Sequence, residues 1–387
     1  MNNNQHISVF VGLSGGVDSS VAAALLVEQG YDVTGVYMKN WSKDLPGFPC
    51  PWKEDYQDAK RVAVKLGIKF ELFDFEKEYF DKVVTYMLDG FKSGITPNPD
   101  VMCNQEIKFK LFYDVARSKG ADYIATGHYA RVQNSGNPKS ETQNPKTVTG
   151  PTYHKADGKT SNIRPPTSKI AHLLKAVDDN KDQTYFLYRI SEEALAHTLF
   201  PIGHLIKPQV REEASKWNLI TATKKESMGI CFVGSVGIRE FLSQFVESES
   251  GPIIDQDGKK IGTHDGAIFY TIGQRHGLDV GGGLPYYVTN KDMKSNTVYV
   301  TNDISDESLW AYELILTNNH WINQPAKLGQ KLHVRTRHRA KLITCEVSEI
   351  NNDRVVLNLS EQIRAITPGQ SAVLYDGEIC IGGGIIF

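Results

Sequence analysis

The sequence predicts an α/β fold: a doubly wound parallel-sheet domain, a small mixed α+β central domain, and a C-terminal β-barrel. Three observations predict it. Strand and helix signals alternate through the first third of the chain. The texture turns helical and then glycine-rich after Pro201. Short, turn-separated strands fill the end from about Leu309.

The elements follow in order. Ile7 to Leu13 is an apolar run read as a buried strand, and after a Ser/Gly segment Val21, Ala24, Leu25 and Val27 mark a helix stopped by Gly30. Val33 to Met38 reads as a second strand. Ala59, Val62, Ala63 and Leu66 fall at helical spacing, with Gly67 suited to the C-cap. Ile68 to Phe73 gives a third strand, and Ile107, Leu111, Val115 and Ala116 a helix ending at Gly120 before the strand Tyr123 to Thr126. Such alternation predicts a parallel sheet covered on both faces. Residues from about Gln133 to Ser168 are polar and almost without large apolar side chains, so they read as a loop that cannot offset its ordering entropy. Its flanks, His128 to Val132 and Ile170 to Val177, read as hairpin strands. Helices are expected through Val210, Ala214 and Trp217, then through Phe241 and Phe245, with short strands after Gly251. The expected domains are 1–200, 201–305 and 306–387.

The chain has 387 residues, so two or three domains are expected. No run of about 18 apolar residues occurs, and Met1 to His6 lacks the order of a signal peptide, which points to the cytoplasm. A net charge of −2 does not advertise nucleic-acid binding, yet phosphate contacts need only a local basic track. The five cysteines, Cys50, Cys103, Cys231, Cys345 and Cys380, include no C-x-x-C pair. That argues against a disulfide framework and a structural zinc site, so no metal-ligating residue is assigned. Any important cysteine here matters for its reactivity.

Gly12, Leu13, Ser14, Gly15, Gly16, Val17, Asp18 and Ser19 lie between a predicted strand and a predicted helix. Glycines there turn backbone N–H groups inward, hydroxyls add donors, and the helix N-terminus adds partial positive charge. Together they form an anion cradle. Neither G-x-x-x-x-G-K-[ST] nor G-x-G-x-x-G is present, which disfavours a standard P-loop and a dinucleotide fold. The stretch Ser14-Gly-Gly-Val-Asp-Ser19 resembles the signature of the PP-loop ATP pyrophosphatases, whose domain is adenine nucleotide α-hydrolase-like. The resemblance implies cleavage of ATP between its α- and β-phosphates, with this loop holding the departing pyrophosphate. Asp18 is a candidate for placing Mg2+, although carboxylates also cap helices. Met38 would lie where the adenine packs, its other reading being a core methionine, and Gly127 would allow close nucleotide approach.

The cysteines narrow the substrate. Asn98-Pro-Asp-Val-Met-Cys103 places Cys103 just before a helix, with Asp100 three residues earlier, and a helix N-terminus lowers a thiol pKa. Cys231 follows two lysines and is flanked by glycines. Cys345 and Cys380 read as small buried hydrophobes, and Cys50 stays open.

The chain closely resembles the bacterial tRNA-specific 2-thiouridylases over nearly its whole length. The matching blocks are the loop, Asn98-Pro-Asp100 with Cys103, Thr126-Gly-His-Tyr-Ala130, Lys181-Asp-Gln183, Lys225 to Phe232, His264 to Gly277, and Thr367-Pro-Gly-Gln370. The resemblance implies adenylation of the uracil C2 oxygen of the wobble uridine, with ATP and Mg2+ as the nucleotide and its ion. Cys231 would carry a persulfide received from a sulfur-relay protein or cysteine desulfurase. Cys103 would attack it and leave a disulfide, with Asp100 as general acid or base. Asn98, Pro99 and Asp100 would shape the base pocket, and His128, Lys181, Asp182, Gln183, Arg337, His338 and Gln370 would contact the tRNA anticodon stem-loop. A monomer with no membrane partner is expected. The polar insertion departs from the short turn usual in the family. Separately, if Arg335 to Lys341 is a strand, alternation puts Arg335, Arg337, Arg339 and Lys341 on one cationic face; a solvated surface face is the other reading. The rival functional reading is a PP-loop enzyme that adenylates a small molecule.

Overall fold

The computed structural model describes residues 4, 6–45, 49–134, 170–225, 237–278, 280, 285–351 and 353–387. Cys231 and nearly all of the expected polar insertion lie outside the described residues.

The N-terminal apolar runs become strands of a parallel sheet. β1 (Ser8–Gly12) leads into α1 (Val17–Glu28), then β2 (Asp32–Lys39), α2 (Trp52–Leu66), β3 (Lys69–Asp74) and β4 (Tyr123–Ala125). β5 (Arg131–Asn134) and β6 (Ala171–Leu174) form the expected antiparallel hairpin, and β7 (Thr198–Leu199) returns to the first sheet. The sheet order is β3-β2-β1-β4-β7, all parallel. Period-two alternation explains why both faces are covered. Val9 and Val11 of β1 enter one core with Val21 and Leu25 of α1 and Val62 of α2, while Phe10 enters the opposite core with Ile107, Phe112 and Ile124. The helix Lys207–Lys216 packs on α1 and adds Val210 and Ala214 to the first of these cores.

β2 and β3 lie on one side of β1, and β4 and β7 on the other. The direction of winding therefore reverses between β1 and β4, and the loops leaving their carboxyl ends diverge there. In open α/β sheets this switch point is where ligands bind. Here it brings the loop after Gly12 beside Thr126 and Gly127.

The middle of the chain folds as β8 (Gly251–Ile254), β9 (Lys260–His264), β10 (Tyr287–Asp292) and β11 (Thr297–Thr301), in the order β10-β11-β8-β9. The last part is β12 (Trp310–Trp321), β13 (Lys331–Arg335), β14 (Ile343–Ile350), β15 (Arg354–Arg364), β16 (Ser371–Asp376) and β17 (Ile379–Ile386). These six strands run β12-β15-β14-β13-β16-β17, and β12 pairs again with β17, so the sheet closes into a barrel without free edges around that ring. The barrel core holds Leu316, Val334, Val347, Leu357 and Leu374. One connection was not foreseen from the sequence: the hairpin β5–β6 continues the barrel sheet by pairing β6 with β17, which fastens the first domain to the last. Among the described residues no helix is long and apolar enough to cross a membrane.

Candidate active site

The loop after β1 has the form of an anion cradle. Gly15 adopts φ +75°, and a Cβ there would lie 2.4 Å from the carbonyl oxygen of Asp55 in α2, so only glycine lets the loop turn inward beneath α2. α1 starts at Gly16 with no side-chain cap, which leaves its first-turn N–H groups without the usual hydroxyl or carboxylate partner from that position. The Ser14 N–H donates to Ser19 Oγ at 3.2 Å, and the Ser20 hydroxyl to Gly16 O at 2.7 Å, fixing the turn. Gly127, after β4, sits against the start of α1, where a Cβ would come within 2.5 Å of the Ser19 nitrogen. The Met38 methyl closes over Gly12, where an added Cβ would meet it at 2.9 Å. An uncapped helix N-terminus walled by glycines and an apolar side chain fits a nucleotide with its phosphates.

Asp18 lies in the first turn of α1. Its carboxylate accepts from the Lys207 ammonium at 2.7 and 2.9 Å and from the Tyr129 hydroxyl at 2.9 Å. Among the described residues no three His, Cys, Asp or Glu side chains converge as a metal site. Magnesium is commonly held by one or two carboxylates together with substrate phosphates, and Asp18 offers one such carboxylate at the cradle.

A second element of the site begins at Asn98. Its side-chain oxygen accepts from the Val101 N–H at 3.3 Å and Pro99 takes the first helical position, so Asn98-Pro99 caps a helix by composition alone. The helix continues from Pro99–Met102 through a π-helical stretch, Cys103–Leu111, to Phe112–Ser118. This corrects one expectation. Cys103 does not precede a helix; it lies a full turn inside one, because capping occurs at Asn98, and the dipole effect fades beyond the first turn. Cys103 is 1% exposed and belongs to the apolar cluster of Val101, Ile107 and Leu242. Asp100 lies three residues earlier, on the same helical face.

Asn98, Pro99 and Asp100 wall a cavity of about 260 Å³, whose other sides come from Phe186, from Arg239, Leu242 and Phe269 of the central segment, and from Gln370 of the barrel. The Gln370 amide donates to the carbonyl of Thr96 at 2.8 Å, and the Thr96 N–H donates to Pro368 O at 2.8 Å. The barrel loop Thr367–Gln370 thus braces the chain just before Asn98.

His128 is buried. Nδ1 lies 2.8 Å from the Thr126 hydroxyl and Nε2 3.4 Å from the Lys108 ammonium. Burial, with the Lys108 charge adding to it, holds the imidazole well below its usual pKa, so it is neutral. Lysine has only donors, which assigns Nε2 as acceptor and Nδ1–H as donor to Thr126.

Profiles of known families match the three parts: one described as a tRNA methyl transferase HUP domain over residues 7–235, a tRNA methyl transferase PRC-barrel domain over 239–302, and an aminomethyltransferase beta-barrel domain over 311–386. The tRNA-specific 2-thiouridylase MnmA of Bacillus cytotoxicus is 45% identical over 380 residues, 98% of this chain and 94% of that protein. Those of Bacillus subtilis and Staphylococcus aureus are 44% and 43% identical, over 98% and 99% of this chain and 94% and 96% of theirs. The chain belongs to the tRNA-specific 2-thiouridylase family.

Among the residues that the family resemblance assigned to RNA, the structure distinguishes inward from outward side chains. Gln183 accepts from the Tyr129 N–H at 2.9 Å through its side chain, while its own N–H donates to Tyr129 O at 2.9 Å, locking the segment after His128. Asp182 is 1% exposed and paired at 3.0 Å with Arg335. Its carboxylate therefore faces the protein interior. Lys181 is half-buried. Arg337 is exposed, donating to Ala365 O at 2.7 Å, and His338 packs at a tilt against Phe186 with ring centroids 4.7 Å apart. Burial lowers the His338 pKa, with Arg339 adding to it.

The single cationic face expected over Arg335 to Lys341 does not form. β13 ends at Arg335, whose guanidinium turns inward to the buried Asp182 carboxylate, and Arg339 adopts φ 63°. A buried carboxylate needs a counter-charge, and that need overrides alternation. Arg337, Arg339 and Lys341 remain exposed. Cys345 and Cys380 sit inside β14 and β17; burial pushes the Cys345 thiol up to about 12 and raises Cys380 further, in keeping with their reading as inert hydrophobes. Cys50 is half-buried, and its thiol is also raised by burial.

Sequence reasoning missed Lys207, Tyr129, Phe186 and Arg239. Lys207 left one signal: a lysine in the first turn of a helix opposes the helix dipole and asks for an external reason. Phe186 and Arg239 left none, because only the packing of three domains brings them to one cavity.

Proposed function

We propose that this chain uses ATP to replace the C2 oxygen of a tRNA wobble uridine with sulfur. One juxtaposition carries the reading: Asn98, Pro99 and Asp100 wall a 260 Å³ cavity, and Cys103 follows one turn later on the face that carries Asp100, in the domain that holds the phosphate loop. The volume lies just under the roughly 300–1,000 Å³ of drug-sized sites, a scale suited to one extruded nucleobase.

The chemistry balances as follows. The uracil O2 attacks the α-phosphorus of ATP and pyrophosphate departs, which turns a poor leaving group at C2 into AMP. The uncapped N-terminus of α1, Ser14 and Ser19 hold the phosphates, Met38 and Gly127 flank the nucleotide, and Asp18 would hold a magnesium ion with the phosphates. A persulfide on Cys231 supplies sulfur to C2 as AMP leaves. The Cys103 thiolate attacks the Cys231 sulfur, breaking its bond to the transferred atom and leaving a Cys103–Cys231 disulfide. A thiol reductant returns both cysteines with two electrons. Asp100, which walls the cavity, would move a proton at the base or the Cys103 thiol. On this reading the persulfide sulfur comes from a sulfur-relay protein or cysteine desulfurase, and a tRNA substrate is met in the cytoplasm.

Exposed Arg337, Arg339 and Lys341 on the barrel suit a tRNA backbone, and His338 against Phe186 links that surface to the cavity. A small-molecule adenylating enzyme leaves that surface unexplained. The test is mass analysis of digested tRNA from a strain lacking the gene. Loss of 2-thiouridine, restored by the wild-type chain and not by Cys103→Ser or Cys231→Ser, is expected; unchanged 2-thiouridine in the deletion strain overturns the reading.

A further inference from the structure

We infer that Lys207 is the cation of this phosphate loop: a pyrophosphate-binding residue delivered from a helix 189 residues beyond Asp18. The inference rests on the nucleotide reading above and adds to it a residue that no motif of the loop contains.

Four observations carry it. First, Gly12 to Ser19 holds no lysine or arginine, while the ligand it is built for is a polyanion. Second, the Lys207 ammonium is at the loop, 2.7 and 2.9 Å from the two oxygens of Asp18, and over the ring of Tyr129 at 5.8 Å from its centroid. Its side chain is only 14% exposed, and that of Asp18 33%. Third, the placement is locally unfavourable. Lys207 is the first residue of the helix Lys207–Lys216, where the dipole repels a cation. Its backbone N–H is held by Asp178 Oδ2 at 2.9 Å and Pro208 follows, so the helix start is fixed so as to aim this side chain at Asp18. Fourth, a carboxylate beside a phosphate cradle repels its ligand unless neutralised. Lys207 neutralises it.

An ammonium has three donors and can serve a carboxylate and a phosphate together. Lys207 would therefore keep Asp18 from opposing the phosphates and add a charge-assisted bond to them. A surface ion pair with no ligand role predicts something different: a stability effect of at most a small amount and no selectivity among nucleotides.

The experiment is isothermal titration of the full chain, without tRNA, using ATP, inorganic pyrophosphate and AMP, each with Mg2+ and with EDTA. Lys207→Met and Lys207→Arg are compared with wild type, with thermal melting as the folding check. Expected is a loss of about 10–100-fold in affinity for ATP and pyrophosphate in Lys207→Met, in EDTA as well as Mg2+, the range of one charge-assisted hydrogen bond. AMP affinity should stay within about twofold, and Lys207→Arg should recover most of the loss. If Lys207→Met proves unfolded, the comparison of Lys207→Arg with Lys207→Gln decides by the same criterion. ATP and pyrophosphate affinities that stay within about twofold of wild type overturn the proposal, as does an equal loss for AMP, which marks a purely structural role. Wild-type protein that binds neither ATP nor pyrophosphate overturns the nucleotide reading itself and this one with it.

Discussion

Removing the carboxylate of Asp182 should loosen the barrel from the first domain. The Asp182 side chain is 0% exposed and that of Arg335 8%, with Nη1 to Oδ2 at 3.0 Å. The carboxylate also accepts from the Ala176 N–H at 3.1 Å and from the Thr184 hydroxyl at 3.0 and 2.9 Å, while the guanidinium lies over Tyr375 at 5.6 Å. Asp182→Ala therefore leaves a buried guanidinium without its counter-ion and an amide without its acceptor. Breaking a buried pair from one side costs about 3–5 kcal/mol. Arg335→Met alone strands the carboxylate, although its remaining hydrogen bonds soften that cost. In the double variant neither charge is left, so its loss should fall short of the sum by about 1–3 kcal/mol. Urea unfolding followed by tryptophan fluorescence, to which Trp310 and Trp321 of β12 contribute, reads the loss. A loss below about 1 kcal/mol in Asp182→Ala, or additivity within about 0.5 kcal/mol, would refute the reasoning.

Other outcomes follow from the same geometry. Cys103→Ser and Cys231→Ser should each abolish thiolation in a reconstituted assay while nucleotide and tRNA binding persist; full thiolation by either removes the two-cysteine scheme. Gly127→Ala puts a methyl group within 2.5 Å of the Ser19 nitrogen, and should weaken ATP binding at least tenfold in a titration, about 1.4 kcal/mol. Arg337→Ala should weaken tRNA binding and lower the slope of log affinity against log salt by about one, measured by filter binding from low to moderate salt. His128 is held neutral by burial, its folded pKa below the unfolded value near 6.5. Its contribution is thus intact above that value and is lost as pH falls below it, because only the unfolded chain takes the proton. His128→Gln should flatten the decline in stability between pH 6.5 and 5 by up to about 1.4 kcal/mol per pH unit, read from unfolding midpoints.

Much of the fold was legible because short-range rules agreed with long-range ones. The apolar runs of β1 and β2 are buried on both faces, so they read as strands without help from the rest of the chain, while β3, at the sheet edge, buries only Phe73. α2 announced itself through Ala59, Val62, Ala63 and Leu66, all of which are buried, and Gly67 caps it in the left-handed conformation. The phosphate loop was equally plain, since its glycines answer local demands. What failed was decided across domains. Arg335 belongs by alternation to a cationic face, yet the structure turns it toward Asp182, 153 positions away. The position of Cys103 is the local exception: Asn98-Pro99 carries a capping signal by composition, and that cap puts Cys103 one turn inside the helix. The pairing of β6 with β17 left no local trace, because an edge strand does not encode which edge it meets.

If the cavity is the base site proposed above, its lining gives a reason for three domains in one reaction. Asn98 to Asp100 supply one wall, but Arg239, Leu242 and Phe269 of the central segment and Gln370 of the barrel supply the others. The first domain alone would leave Asn98-Pro99-Asp100 open to water, and adenylation at an exposed carbonyl competes with transfer to water. The barrel reaches the site twice: Gln370 and Pro368 bond the backbone of Thr96, and β17 pairs with β6 in the hairpin that follows Gly127 and His128. The Thr96–Pro368 bond and the β6–β17 pairing are backbone to backbone, so they fix position without side-chain rotamers, and the Gln370 amide adds a side-chain clamp. On the function proposed above, an RNA held by exposed Arg337 is held by the barrel whose Gln370 lines the cavity. The same proposal makes the distance from the RNA backbone to the activated carbonyl a property of the fold, so that discrimination among uridines would rest on which base the tRNA can extend that far.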